Sequence, residues 1–476
     1  MYYRLNDDVE LRGYKGRPYG IYRSGEGEVH FLPPVADSRI LFRCNGKNDL
    51  DPGMLTEMQR TALEELERTG MLTVTACMNP MLHPIPRKVF PCRYTEGVHW
   101  SLTGKCNFNC KHCFQSAPEG VLGEPSLERC LDMIRQFEEC GVMRVDLTGG
   151  EPLIREDFLL IVDELLARKI AIGCIYSNGW LIDRPFLDAL KERKLTVSFQ
   201  LSFDGVGHHD WMRGVPGAEK RAVEAMKLLK EYGFPFSAAM CLCRENLASA
   251  WDTVCLMDSL GCQGMKLQRA TPQGEWLRQP EHYLGDEELL EAYMDIARKY
   301  MASGLTADLQ TEGVFAMNNG TDGKSVHILF AGPEESDRVL NAPSCGILRS
   351  NFFLGPNGAA VPCMSMCGSP VEKQFPNAFD TPLAEILRDS ALTRLSGTTR
   401  RDVTEHNAEC RECAYRARCG GGRCRAGATD PGSEDFLAVD AFTCYLFRNR
   451  WYERLKAFAE SFAGADGEEQ VRPELC

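Results

Sequence analysis

From about residue 95 to residue 270, short apolar runs alternate with amphipathic stretches. This is the pattern of repeated β-strand and α-helix units that build a parallel sheet. The apolar runs predict strands at Val98–Leu102, Arg144–Leu147, Ala171–Tyr176, Val197–Leu201, Phe236–Leu242 and Gly264–Leu267. Helices fall between them, most clearly Leu127–Phe137, where Leu127, Leu131 and Ile134 share one face, and Asp157–Arg168. Six such units predict an α/β fold, a partial (β/α)6 barrel whose functional groups collect at the carboxyl ends of the strands.

The flanking segments read differently. Residues 1–85 offer short strands at Val29–Leu32 and Ile40–Phe42, a polar turn at Asn45-Gly46, a helix over Thr56–Arg68, a left-handed cap at Gly70 and a strand at Leu72–Val74. A Pro-containing connector, Met81 to Pro91, separates this module from the barrel at 95–275. Residues 276–340 read as a connecting acidic helix, Asp286 to Met301, and a Gly/Asn-rich loop, Asn318 to Gly323. A cysteine-rich region follows at 341–450, and 463–476 reads as a disordered tail.

Composition narrows the chemistry. A chain of 476 residues, 44% hydrophobic and 25% charged, can bury a large core across two or three domains. Its formal net charge of -13 offers no positive field for a phosphate backbone, so no nucleic acid partner is expected. The first twenty residues lack the apolar run of a secretory signal, and no uncharged stretch is long enough to cross a bilayer, so a cytoplasmic protein without a membrane partner is expected. In a reducing compartment, 22 cysteines point to metal ligation rather than disulfides. Three of them lie between Cys106 and Cys113 and eight between Cys345 and Cys444, while the rest are scattered.

Cys106-Asn-Phe-Asn-Cys110-Lys-His-Cys113 directly follows the first predicted strand, so three thiolates project from one loop at the mouth of the barrel. If a protein ligates three irons of a [4Fe-4S] cubane, the fourth stays open for another ligand. A zinc knuckle is the alternative, although His112 sits awkwardly between two ligands of the same short loop. Further motifs stand at the ends of the next three strands: Thr148-Gly149-Gly150-Glu151-Pro152, Ser177-Asn178-Gly179 and Ser202-Phe203-Asp204-Gly205. The two glycines admit close backbone approach to a ligand, and Glu151 can accept from an ammonium group.

Together these residues resemble the signature of the radical S-adenosylmethionine (SAM) superfamily. The resemblance implies a cluster on Cys106, Cys110 and Cys113 whose open iron binds SAM. It further implies SAM contacts from Gly149, Gly150 and Glu151, with Ser177, Asn178, Ser202 and Asp204 facing the ribose. Arg269 is the candidate for the SAM carboxylate, and His208, Arg213 and Gly214 resemble a stretch that closes over substrate. The implied chemistry is one-electron reduction of SAM to methionine and a hydrogen-abstracting 5′-deoxyadenosyl radical. Electrons would come from a small reductant protein such as a ferredoxin or flavodoxin.

The downstream cysteines extend the resemblance. Cys345, a hairpin over Asn351–Cys363, then Cys410-x2-Cys413-x5-Cys419, Cys424 and Cys444 resemble the SPASM extension of radical SAM enzymes that modify peptides and proteins. By that resemblance, Cys410, Cys413, Cys419 and Cys444 bind one auxiliary [4Fe-4S] cluster. Cys345, Cys363 and Cys424 bind a second, with Cys367 as its fourth ligand. Cys419 and Cys424 are separated by four residues where the family has three, and a zinc ribbon on Cys410, Cys413, Cys419 and Cys424 is the alternative.

Residues 1–85 resemble the winged-helix leader-recognition modules of peptide maturases, which bind an added strand at a sheet edge. The expectation is therefore a maturase acting on a ribosomally made precursor peptide by crosslinking, epimerisation or oxidation. A protein oxidase of the sulfatase-maturing kind is one alternative, and a non-catalytic iron–sulfur carrier or zinc protein is another. Cys241 and Cys243, two apart on the fifth strand, share a face and are candidate hydrogen-atom donors, with buried packing as the plainer role.

Overall fold

The computed structural model describes residues 1–462 apart from 15–16, 24–28, 32–37, 93–96, 271, 321–322, 331–336, 346–350, 423 and 429–433. The predicted disordered tail thus lies outside the described residues. All six barrel strands form where the apolar runs place them, at Gly97–Ser101, Arg144–Thr148, Ala171–Ser177, Ser198–Ser202, Phe236–Leu242 and Gly264–Arg269. They pair in sequence order and in parallel. The intervening helices bury their apolar stripes on the sheet. Leu127–Cys140 sinks Cys130, Met133, Ile134, Phe137 and Cys140, and Phe158–Ala167 sinks Phe158, Ile161, Val162 and Leu165.

The sheet extends beyond six strands on both sides. Asp308–Thr311 adds in parallel to Gly264–Arg269, and an antiparallel hairpin of Phe315–Gly320 and Gly323–Ile328 continues it. The segment predicted as a Gly/Asn-rich loop is therefore the tip of this hairpin. Its pairs run out to Gly320 and Gly323. At the other edge, Asn351–Leu354 of the cysteine-rich region pairs in parallel with Gly97–Ser101 and turns back through Ala360–Val361. Among the described residues the sheet has eleven strands and is open, and one buried core runs from Cys92 through the barrel to Leu455.

The amino-terminal module has a separate core of Leu5, Leu11, Leu63, Leu66, Met71 and neighbours. Tyr2–Leu5 lies between Asn45–Asp49 and Leu72–Thr75 in a three-stranded antiparallel sheet. Glu57–Arg68 is a helix started by a capping box of Thr56 and Gln59, and Gly70 takes the left-handed φ of 67° that its place beyond the helix end requires. Ser38–Arg43 is a 3-10 helix, not the strand predicted at Ile40–Phe42. Leu41 and Cys44, three apart, are the buried pair, a spacing that suits a three-residue turn and not a strand. A winged helix sets several helices against its sheet. Among the described residues this module has one α-helix, so that kinship stays an expectation.

Candidate active site

The cysteine loop follows Gly97–Ser101 and has little regular structure of its own, so its shape is set by neighbours. Phe108 N donates to Cys106 Sγ at 3.3 Å and Ala117 N to Cys113 Sγ at 3.3 Å, while all three thiols are half-buried. Burial pushes the Cys106 thiol up to about 12 and also raises Cys110. Three thiols on one loop, with burial raising two of them, form a donor set suited to an iron–sulfur cluster, whose irons supply the positive charge that thiolates need.

The motifs at the following strand ends converge on this loop. Gly150 N donates to Thr103 O at 2.7 Å and Glu151 N to Lys105 O at 3.0 Å. A Cβ on Gly150 would stand 2.1 Å from Lys105 O, and one on Gly149 2.8 Å from Thr103 O. The two glycines are thus required by close approach to the backbone beside Cys106. Glu151 is fully buried and accepts from Ser177 Oγ at 3.0 Å, Asn178 N at 2.7 Å and Leu153 N at 3.2 Å. Burial pushes its carboxyl up to about 7 against those donors. Asn178 Nδ2 in turn donates to Asn107 Oδ1 at 2.8 Å, and Phe108 packs edge-on against Trp180. Ser177 and Asn178 therefore brace the loop, whereas Ser202 is half-buried at the end of its strand.

Asp204 and Arg213 form the charged centre. Arg213 Nε lies 2.6 Å from Asp204 Oδ2, with side-chain exposures of 11% and 0%, and Arg213 Nη1 donates to Cys110 Sγ at 3.6 Å. Burial opposes ionisation of Asp204, but Arg213, then His112 and His209, outweigh it and hold the carboxyl below its usual range. Burial pushes His112 down to about 4, so its ring is neutral at pH 7. Cys241 N donates to Asp204 Oδ1 at 2.9 Å, and ligand atoms of His112, Asp204 and Cys241 lie within 4.8 Å of one another. The Arg213 guanidinium already serves that carboxylate, so a second cation has no place there. Asn109 N and Lys111 N donate to Arg213 O and Met212 O, so the stretch around Arg213 and Gly214 is packed onto the cysteine loop. Cys243, by contrast, is buried among Met212, Ala270 and Trp276.

Arg269 pairs with Asp286 at 2.9 Å and lies over the Phe442 ring at 4.7 Å, tying the last barrel strand to the carboxyl-terminal region. The strand continues to Arg269 itself, and helix Asp286–Ala302 presents its first acidic residue to it.

In the cysteine-rich region, Cys410, Cys413, Cys419 and Cys444 line one cavity with Thr404 and Gly421. The zinc ribbon that takes Cys424 as its fourth ligand is not assembled. The Cys424 residue reaches solvent, but its sulfur is turned inward onto Gly427 N at 3.2 Å, and burial, Asp440 and then Cys363 raise its proton affinity. Burial and then Cys345 push Cys363 up to about 12, and Cys363 in turn acts on Cys424, so the three thiols stand near one another. Cys367 does not join them. The 3-10 turn Met364–Met366 carries it inward behind Gly355, where it is fully buried and its proton affinity is raised by burial and then by Glu372.

Residues 100–256 match the model of the Radical SAM superfamily, and residues 345–414 match SPASM, an iron-sulfur cluster-binding domain. The chain carries a radical SAM domain followed by a SPASM domain. It is a radical SAM enzyme, a class whose cofactors are a [4Fe-4S] cluster and SAM, and its SPASM domain is one that binds auxiliary clusters. The AdoMet-dependent heme synthase of Oleidesulfovibrio alaskensis is 28% identical over 395 residues, 81% of this chain and 95% of that protein. The PqqA peptide cyclase of Gluconobacter oxydans is 28% identical over 69% of this chain and 85% of its own. The crystal structure of Streptococcus suis SuiB bound to precursor peptide SuiA has the same fold, with a TM-score of 0.60 at 15% identity, over 93% of this chain and 99% of SuiB. No helix among the described residues is long and apolar enough to cross a membrane.

Sequence reasoning missed the roles of Asn107, His112 and the segment after Gly264–Arg269. Each is a single polar residue or a short irregular stretch, and only the folded neighbourhood gives it a task.

Proposed function

We propose that this radical SAM enzyme modifies a precursor peptide, with Cys106, Cys110 and Cys113 holding the cluster that presents SAM. Bound there, cluster and SAM supply one-electron reduction and hydrogen-atom abstraction. The protein's own residues orient and shelter. Arg213, held by Asp204, donates to Cys110, which offsets thiolate charge. Glu151 pins its loop to Ser177 and Asn178, so that Gly149 and Gly150 fix the backbone ahead of Cys106. Phe108, 3% exposed, keeps water from the inner side of the loop. Cys410, Cys413, Cys419 and Cys444 hold one auxiliary cluster, and Cys345, Cys363 and Cys424 hold a second through three thiols. The reductant is a ferredoxin or flavodoxin.

The observation that carries the peptide reading is the amino-terminal module. Its three-stranded sheet ends on Leu72–Thr75, which among the described residues pairs with Tyr2–Leu5 alone, so an extended peptide can add at that edge. SuiB, named with its precursor peptide, and the PqqA peptide cyclase support the same reading. A second reading, heme formation, is favoured by the near-complete coverage of the heme synthase, although that alignment leaves about a fifth of this chain unmatched. Coexpression with a short peptide gene found beside its reading frame separates the two. A peptide lighter by two hydrogens, or epimerised at unchanged mass, supports the proposal; an unchanged peptide together with heme made from a porphyrin precursor overturns it.

A further inference from the structure

The segment that follows Gly264–Arg269 carries none of the motifs above, yet it touches both cysteine-bearing regions. It forms two 3-10 turns, Gly274–Arg278 and Pro280–His282. On one side it lies against the first cysteine loop. Glu275 N donates to Cys113 O at 3.0 Å, Glu275 Oε1 accepts from Ser116 Oγ at 2.6 Å, and Gln279 Nε2 donates to Lys111 O at 3.0 Å. Gly274 has φ 56°, and a Cβ there would stand 2.4 Å from Cys113 O and 2.6 Å from Phe114 O. Those are backbone atoms of the ligand loop, so contact this close requires glycine. Trp276, 1% exposed, anchors the segment by packing with Met212 and Cys243.

On its other side, Gln273 Nε2 donates to Ser365 O at 2.8 Å. Ser365 sits in the 3-10 turn that directly follows Cys363. A strap of seven residues, Gln273 to Gln279, therefore bonds to the backbone of Cys113 and to the backbone beside Cys363. A hydrogen bond to the main chain of a ligand residue fixes where its thiol points, as partners behind metal ligands generally do.

We propose that Gln273 and Glu275 are positioning residues that lock the Cys113 end of the first cysteine loop to the Cys363 loop, so that order at the auxiliary site sets order at the SAM site. The inference rests on the cluster assignments proposed above. The strap has no reacting atoms to touch; it acts through the backbone of Cys113 and the hydroxyl of Ser116. Because the loop at 106–117 draws its order from neighbours, loss of either anchor should open it locally while the sheet beneath stays closed.

Hydrogen exchange read by mass spectrometry on the full-length, anaerobically loaded protein tests this. Gln273→Ala should raise exchange in residues 111–117 by about tenfold, and Cys363→Ala should raise it comparably. The double variant should exceed either single by much less than their product, because both remove the same restraint. The electron paramagnetic resonance signal of the SAM-site cluster should broaden in all three. Gly274→Ala, which pushes the strap off Cys113 O, should give the same exchange pattern by an independent route. Unchanged exchange at 111–117 in Gln273→Ala and Gly274→Ala, or effects that multiply in the double variant, would overturn the proposal. Exchange is read whether or not SAM is cleaved. A chain that shows the coupling but makes no 5′-deoxyadenosine refutes the enzymatic assignment alone, and one that makes it without the coupling refutes the strap alone.

Discussion

Replacing Asp204 with Asn strips one partner from a buried ion pair and leaves Arg213 charged beside Cys110. The Arg213 Nε to Asp204 Oδ2 distance is 2.6 Å and the carboxylate is fully buried, so its attraction is about 6 kcal/mol at an effective dielectric near 20. Desolvation of both ions offsets much of that, and the measurable cost of removing a single partner is about 3–5 kcal/mol. The amide oxygen of Asn can still accept from Cys241 N, so the loss belongs to the charge and not to that bond. For a unit of the barrel's size this lowers the melting midpoint by roughly 6–20 °C. The assay is anaerobic thermal unfolding of wild type, Asp204→Asn, Arg213→Met and the double variant. The double variant should melt above Asp204→Asn, because no buried charge is left unpaired. An Asp204→Asn protein that melts with wild type, or a double variant below both singles, would refute the reasoning.

Gly150→Ala should cost about 1–3 kcal/mol through its clash with Lys105 O and should lower iron at the first cysteine loop while the auxiliary iron is retained, as iron assay beside spectra of the reduced clusters would check. Cys444→Ala and Cys424→Ala should each remove about one cluster's four irons, from different sites, whereas Cys367→Ala should leave the iron count unchanged because its thiol faces Glu372. Glu151 has a folded pKa raised by burial to about 7 from 4.5, so its contribution to stability is present below the lower value and is lost as pH rises through the upper. Glu151→Gln should therefore flatten the fall of stability across that window in pH-dependent melts.

Strands and helices of the barrel were legible because a parallel sheet buried on both faces demands continuous apolar runs, as in Ala171–Ser177. The three-cysteine loop was legible by its spacing and its place after a strand, whereas the grouping of Cys410, Cys413, Cys419 and Cys444 came from the family resemblance, since spacing alone offered Cys424 as readily as Cys444. What depended on distant pairing was not legible. Asn351–Leu354 joins the barrel sheet beside Gly97–Ser101, some 250 residues earlier in the chain, and nothing local marks that partner. The polar motifs could be located but not aimed: Gly150, Asn178 and Asp204 fall where expected, yet they brace the cysteine loop and Arg213. The partners of Arg269 and Cys367 were illegible for the same reason, since a side chain's partner is set by what the fold brings opposite it, here Asp286 and Glu372.

The central claim is that Cys106, Cys110 and Cys113 support reductive cleavage of SAM. The direct measurement is 5′-deoxyadenosine released by the oxygen-protected, cluster-loaded protein given SAM and a strong reductant. The account predicts product from the native chain and none when the three cysteines are replaced by Ala with the auxiliary iron retained. No product from the loaded native chain, or equal product from the triple variant, would contradict it.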